Sequence, residues 1–219
     1  MTIRDWVVEK VEEAGYAVEL IGDNGFVVVR GNRPEAHVYC PDASDTEPFA
    51  PHHLDEAMEE MMELQFIAAV KRRVANETYT LADDERVAIG GLNALKSALV
   101  ECFNVGDYGS KEQRLVQGRL EGSAQVSAWR RVGESAYEIS RKGGLRHLKV
   151  VTIQPYELTS DEVYELLSQH DDLTVDAIVT TNPNCRGFAP STLDAVGNAG
   201  TAIMTLRDFL GSLREPWNQ

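Results

Sequence analysis

Along residues 3–14, Ile3, Val7, Val8 and Val11 fall on one helical face, with Asp5, Glu9, Lys10, Glu12 and Glu13 largely on the other. That spacing predicts an amphipathic helix, which Gly15 ends. Three strand-length runs follow: AVEL at 17–20, FVVVR at 26–30 and AHVYC at 36–40. The intervening IGDNG and GNRPE carry turn chemistry, and Asp23-Asn24-Gly25 signals a hairpin. The opening of the chain therefore predicts a helix and a three-stranded meander. A Pro- and Asp-rich connector, 41–53, leads to residues 54–76, which predict one long helix. Acids fill its first turns and Lys71, Arg72 and Arg73 its last, the order that complements the helix dipole. Met58, Met61 and Met62 on this run read as core.

The polar stretch ETYTLADDE, 77–85, is the expected boundary, near residue 82. It divides a small α+β region, 1–82, from an α/β domain, 83–219. In the latter the pattern predicts a helix over 84–103, softened at Gly90-Gly91, and a loop at NVGDYGSK. A basic helical stretch over about 111–131, interrupted around Gly118 and Gly122, follows. Two adjacent strands are expected within 135–154, joined at RKGG. Helices at 160–169 and 190–198 alternate with strands at 175–181 and 201–205, and RDFLGSL closes the chain. No internal repeat stands out, although both halves open with a helix and then strands.

Composition narrows the class. With 219 residues, 43% hydrophobic and 26% charged, the chain is long enough for a sizeable core and ordinary for a globular protein. No apolar run reaches the roughly 18–20 residues of a membrane helix, and MTIRDWVVEKVEEAGY is acidic where a signal peptide is basic. A cytoplasmic protein that avoids membranes is expected. Cys40, Cys102 and Cys185 are odd in number and without CxxC spacing, which argues against a disulfide framework or a zinc site.

Net charge is −14, and six Lys stand against fifteen Arg. This acidic, Lys-poor balance suits a high-salt cytoplasm and is consistent with a halophilic source. The charge is uneven. Residues 1–110 carry net −12 and 150–219 net −7, whereas 111–149 reverse to +5. That basic island holds Lys111, Arg114, Arg119, Arg130, Arg131, Arg141, Lys142, Arg146 and Lys149. It reads either as pairing with the acidic flanks or as a phosphate-contacting surface.

Other constellations are weaker. His52-His53 with Asp55, Glu56 and Glu59 offers metal donors, but neighbouring histidines are expected to point apart and the acids suit a helix start. IGGLNALKS lacks the spacing of a phosphate loop, no GxGxxG follows a strand, and no nucleophile elbow occurs.

The run KVVTIQPYELTSDEVYELL, followed by DAIVTTNPNCRGFAPSTLDAVGNAGTAIMTLRDFLGSL, resembles the C-terminal core of Mrr-type restriction-endonuclease-like domains of the PD-(D/E)XK nuclease superfamily. VVTIQ, DEVYELL, AIVTT, STLDAVGNA and AIMTLRDFL are the counterparts, over about 70 residues. The resemblance implies a mixed sheet flanked by helices, and Mg²⁺ held by carboxylates on neighbouring strands, with a Lys two positions on steadying water. It places Gln154 at the Gln/Glu position, Tyr156 at the Lys position, and Glu138 as the upstream acid. The implied metal ligands are thus Glu138 and Gln154, with Lys142 or Lys149 as substitute cations. The implied nucleic-acid contacts are Lys111, Arg114, Arg119, Arg130, Arg131, Arg141 and Arg146.

With Tyr156 for Lys, the resemblance implies a degenerate site, hence a DNA- or other nucleic-acid-binding protein with feeble cleavage. Two alternatives stay open: an active Mg²⁺-dependent endonuclease, or a non-catalytic module, with no cofactor, that binds a protein partner or a second copy of itself. The first half resembles the opening of such a domain too. There Asp23 stands for the metal Asp and Glu35-Ala36-His37 for E-x-K; from the residues alone, Asp23 makes a hairpin turn and Glu35 sits at a strand edge.

Overall fold

A computed structural model describes residues 2–42, 47–155, 157–185 and 187–217. The chain divides into two compact units, 1–110 and 111–219.

In the first unit, α1 (Ile3–Glu12) is closed by a reciprocal cap: the Thr2 hydroxyl accepts the Asp5 N–H and the Asp5 carboxylate accepts that of Thr2. Val7 and Val11, one turn apart, are its buried stripe. The meander forms as expected, with β1 (Ala17–Ile21), β2 (Gly25–Val29) and β3 (Ala36–Tyr39). Gly22 supplies the positive φ of +55° in the first turn.

The following segment departs from the expected long helix. It holds α2 (Pro51–Glu60), then β4 (Phe66–Ala68) and α3 (Asn76–Asp84). The strand FIA is fully buried, so its three apolar residues fit a helical stripe as well as a strand. Residue 82, the expected boundary, lies inside α3, and the supposed linker is helix. β5 (Ala88–Gly90) and α4 (Leu92–Glu101) occupy the run expected to be one helix, with a 3₁₀ turn at 105–107. The sheet order is β1-β2-β3-β4-β5, antiparallel at the first two junctions and parallel at the last two. Helices α1 and α4 cover one face through Val7, Val11, Leu95 and Leu99. On the other, Leu54 and Ala57 of α2 and Ala82 of α3 pack on Ile67.

The second unit contains α5 (Lys111–Glu121), β6 (Val126–Arg131), β7 (Ala136–Arg141), β8 (Leu148–Ile153), α6 (Ser160–Gln169), β9 (Ala177–Thr180), α7 (Pro190–Asn198), β10 (Ala202–Thr205) and α8 (Leu206–Ser212). Its sheet runs β6-β7-β8-β9-β10, again antiparallel twice and then parallel twice. Helices α5 and α8 share one face, α6 and α7 the other. The strands expected within 135–154, at 175–181 and at 201–205 share this sheet, and the helices expected at 160–169 and 190–198 pack on it.

The two units therefore repeat one topology, and what was expected to be a small α+β region is a full α/β unit. Register makes the repeat residue-specific. Val38 pairs with Phe66 as Val150 pairs with Ala177, and Phe66 with Ala88 as Ala177 with Ala202. On that frame Phe26, Val28 and Ala36 correspond to Tyr137, Ile139 and Leu148, all buried on the same relative face. Identity is kept at some of these positions, as at Val38 and Val150 or Ala88 and Ala202, and lost at others: Phe66 stands where the other sheet has Ala177.

Arg30 and Arg141 also correspond. The Arg30 guanidinium donates to the carbonyls of Leu99, Cys102 and Phe103 at the C-terminus of α4. Arg141 donates to those of Leu213 and Glu215 just past α8. Each satisfies the carbonyls a helix end leaves without partners.

Cys40, beyond β3, is 1% exposed, and burial pushes its thiol up to about 12. Thiol titration of the native protein near pH 8 is expected to modify Cys102 and Cys185, both half-buried, and to reach Cys40 only after denaturation. Rapid native labelling of all three would contradict the packing of the first sheet.

Candidate nucleic-acid interface

Glu138 lies mid-strand on β7, with Arg130 opposite it on β6 and Lys149 opposite it on β8. Two N–H groups of Arg130 meet its Oε2 at 2.6 and 2.7 Å. Glu138 is thus the middle rung of a cross-strand charge ladder, an arrangement that stabilises a sheet surface. Gln154 is exposed just past the end of β8. It is five residues beyond the rung that faces Glu138, about 16 Å at roughly 3.3 Å per residue. Oxygens sharing one Mg²⁺ each sit about 2.1 Å from it, so Glu138 and Gln154 cannot hold a common ion. Lys149 stays with Glu138, and Lys142 is exposed in the β7–β8 turn beside Gly143. Tyr156, the expected Lys position, lies outside the described residues.

The hydrogen bonds show which groups gather instead at the Gln154 end. The Ser135 carbonyl accepts the Thr152 N–H at 2.8 Å, bringing the start of β7 alongside. The Gln113 amide donates to the Glu134 carbonyl at 3.2 Å. The Thr181 N–H donates to the Ile153 carbonyl, and its hydroxyl donates to Glu112 Oε1 at 2.7 Å. Glu112, through its carboxylate, and Glu134, through its main-chain carbonyl, are therefore tied to this end, and neither is among the candidates the sequence offers. Their signals were faint: a first-turn acid on α5 and a turn acid, both ordinary places for a carboxylate. Glu112 is occupied in fixing Thr181.

In the first unit the corresponding carbonyl is that of Asn24, which accepts the Cys40 N–H. Asn24 thus faces the residue that follows β3, and Asp23 precedes it in the β1–β2 turn. Glu35, just before β3, lies at the opposite end of the strand. The Asp23 and Glu35-Ala36-His37 constellation that the resemblance implies is not assembled: Asp23 lies in a hairpin turn and Glu35 just before β3.

Among the described residues, the trio of His, Cys, Asp or Glu donors within 4.8 Å of one another is Glu47, His52 and His53. Contrary to expectation, the two imidazoles lie together, centroids 3.9 Å apart, but their companion is Glu47 and not the acids of α2. His53 Nδ1 accepts the Ala50 N–H at 3.0 Å, and Arg72 Nη2 stands 3.3 Å from its Nε2. A guanidinium at that nitrogen opposes a second cation there. The cluster serves the start of α2.

The basic stretch separates into two populations. Arg131 and Arg141 are buried, 7% and 5% exposed, and cannot reach a phosphate. Arg130 is held by Glu138. Arg146 pairs with Asp176 at 2.8 Å and donates to the Trp217 carbonyl. Arg130, Arg141 and Arg146 support the sheet and the C-terminal segment. Lys111, Arg114 and Arg119 are exposed along α5. Arg119 and Leu115 line a cleft of about 880 Å³ together with Arg207 and Asn182. Arg207 was hidden in the sequence by the acidic balance of 150–219. Taken by units, residues 1–110 carry net −12, but 111–219 only −2.

No family model matches the chain, and neither a curated protein nor a solved structure matches it. No helix among the described residues is long and apolar enough to cross a membrane.

Proposed function

We propose that the second unit binds nucleic acid without cleaving it, as a restriction-endonuclease-like domain of Mrr type whose metal site has been lost. One observation carries the reading: Lys111, Arg119 and Arg207 are exposed on α5 and α8, which share one layer of a nearly neutral unit in a strongly acidic chain. Phosphate contacts supply most of sequence-independent affinity, and cations collected on one layer suit a polyanion. The element order, a helix and three-stranded meander followed by parallel strands and helices, agrees with the family the motifs resemble. Loss of cleavage is supported by Glu138 standing in a charge ladder, remote from Gln154, and by Glu112 being committed to Thr181. Two-metal hydrolysis needs close-set carboxylates and a group that orients water.

The test is incubation of the full chain with linear DNA and Mg²⁺ at low salt, read on native and denaturing gels. A retarded complex of intact DNA is expected. Cleavage by the wild type that disappears in Glu112→Gln would overturn the inactive site; absence of any complex would overturn binding.

A further inference from the structure

Strands β9 and β10 are parallel neighbours, paired from Ala177 with Ala202 to Thr180 with Thr205. After β9 the chain crosses to α7, which packs with α6 through Ala195, Val196 and Val163. After β10 it turns directly into α8, which packs with α5 on the opposite face through Phe209, Val116 and Leu120. Chain segments leaving neighbouring strand ends toward opposite faces open a crevice between them, the place where open α/β sheets bind ligands. Here that crevice is the cleft of about 880 Å³, within the size range of small-molecule sites and roomy enough for a mononucleotide.

Its lining combines two chemistries. Leu115, Leu206 and Leu210 offer an apolar wall, and Arg119 and Arg207 bring two guanidinium groups. Neither arginine is in an ion pair among the described residues. Asp208 also lines the cleft, but its carboxylate accepts the Thr205 hydroxyl at 2.7 Å while its own N–H donates back to that oxygen. Asn182 is partly engaged, one amide N–H on the Pro155 carbonyl and its Oδ1 on the Asn184 N–H. Asp208 keeps its charge and Asn182 a second amide N–H, so the lining offers a ligand two guanidiniums against one carboxylate, together with the leucines. Arginine forks suit phosphate oxygens, and an apolar wall suits the face of a base.

We propose that the crevice between the C-terminal ends of β9 and β10 binds a nucleotide, its phosphate on Arg119 and Arg207 and its base against the leucines. The choice of a nucleotide over other organic phosphates rests on the nucleic-acid reading above. A free nucleotide and the terminal nucleotide of a strand present the same chemistry.

The experiment titrates the full chain with adenosine 5′-monophosphate, adenosine and inorganic phosphate. In parallel, it compares a single-stranded oligonucleotide bearing a 5′-phosphate with the same strand bearing a 5′-hydroxyl. The monophosphate is expected to bind with saturation, more tightly than adenosine or phosphate alone. Arg207→Glu should weaken it by about tenfold or more, and Arg207→Lys by less, since one ammonium replaces a fork. Arg207 is exposed, and an unchanged circular dichroism spectrum of the variant confirms the fold. A 5′-phosphate that tightens the oligonucleotide, with the monophosphate competing, identifies a strand end as the source; monophosphate binding indifferent to the strand identifies a free nucleotide. The proposal is overturned if the monophosphate fails to bind at millimolar concentration and the 5′-phosphate makes no difference, or if binding survives Arg207→Glu unchanged. In either case, duplex binding that persists leaves the nucleic-acid reading standing, and its loss removes both.

Discussion

Arg141→Ala is expected to destabilise the second unit by about 2–4 kcal/mol, since hydrogen bonds to a charged donor contribute roughly 1.5–3 kcal/mol each and several are lost together. The guanidinium is 5% exposed and donates to the carbonyls of Arg146, Leu213 and Glu215. Its removal leaves a void under β7 and strips partners from the chain leaving α8. Arg30→Ala should have a similar effect on the first unit, where the same strand position holds the end of α4. For a unit of this size, that shift corresponds to roughly 10–20 °C in Tm. Lysine should restore less than half, because a single ammonium cannot meet carbonyls arranged for a planar fork. Hydrogen exchange locates the effect: Arg141→Ala should raise exchange in 111–219, and Arg30→Ala in 1–110. A loss below about 1 kcal/mol in both variants would show that the two arginines are not the equivalent clamps that the shared register makes them.

Those arginines also show why the basic island was hard to read. Composition reports a cation, not its exposure, so Arg131 and Arg141 counted toward a phosphate face although both are buried. Arg146 counted too, although it is committed to Asp176 and Trp217. Strands and helices of ordinary length were legible. β7 and β8 around their Gly-rich turn, the apolar β9, and α6 and α7 lie where periodicity places them. β4 and β5 were not legible because three residues of strand, FIA and AIG, carry no alternation and sit in runs that also satisfy a helical stripe. β6 was absorbed into a helical reading of 111–131. With β4 and β5 unread, α3 looked like a linker and the first unit like a fragment, and the repeat vanished with them. Its equivalent positions are identical only here and there, as Arg30 and Arg141 are, and differ elsewhere, as Phe66 and Ala177 do, so topology and register reveal it where the sequence does not. Gln154 closes the strand run VVTIQ in the sequence and stands one residue past β8 in the structure. Glu138 was paired with it because sequence distance across a hairpin says nothing about which residues face each other.

The second large effect concerns affinity. In the double variant Lys111→Glu with Arg119→Glu, two exposed cations of α5 become like charges facing the phosphates. Duplex affinity at low salt should fall on the order of 10²-fold. Neither residue is buried, so the thermal transition should stay within about 1 °C of the wild type. A parallel variant on the supporting cations, Arg130→Gln, should change affinity little, because its guanidinium already belongs to Glu138.

Anisotropy of a labelled DNA duplex, titrated with the full chain over a series of salt concentrations, tests the central claim most directly. The account predicts that log K falls linearly with log salt, and that Lys111→Glu with Arg119→Glu makes the slope shallower by about 1.8, two phosphate contacts at roughly 0.9 each. Affinity independent of salt, or a slope unchanged in that variant, would contradict it.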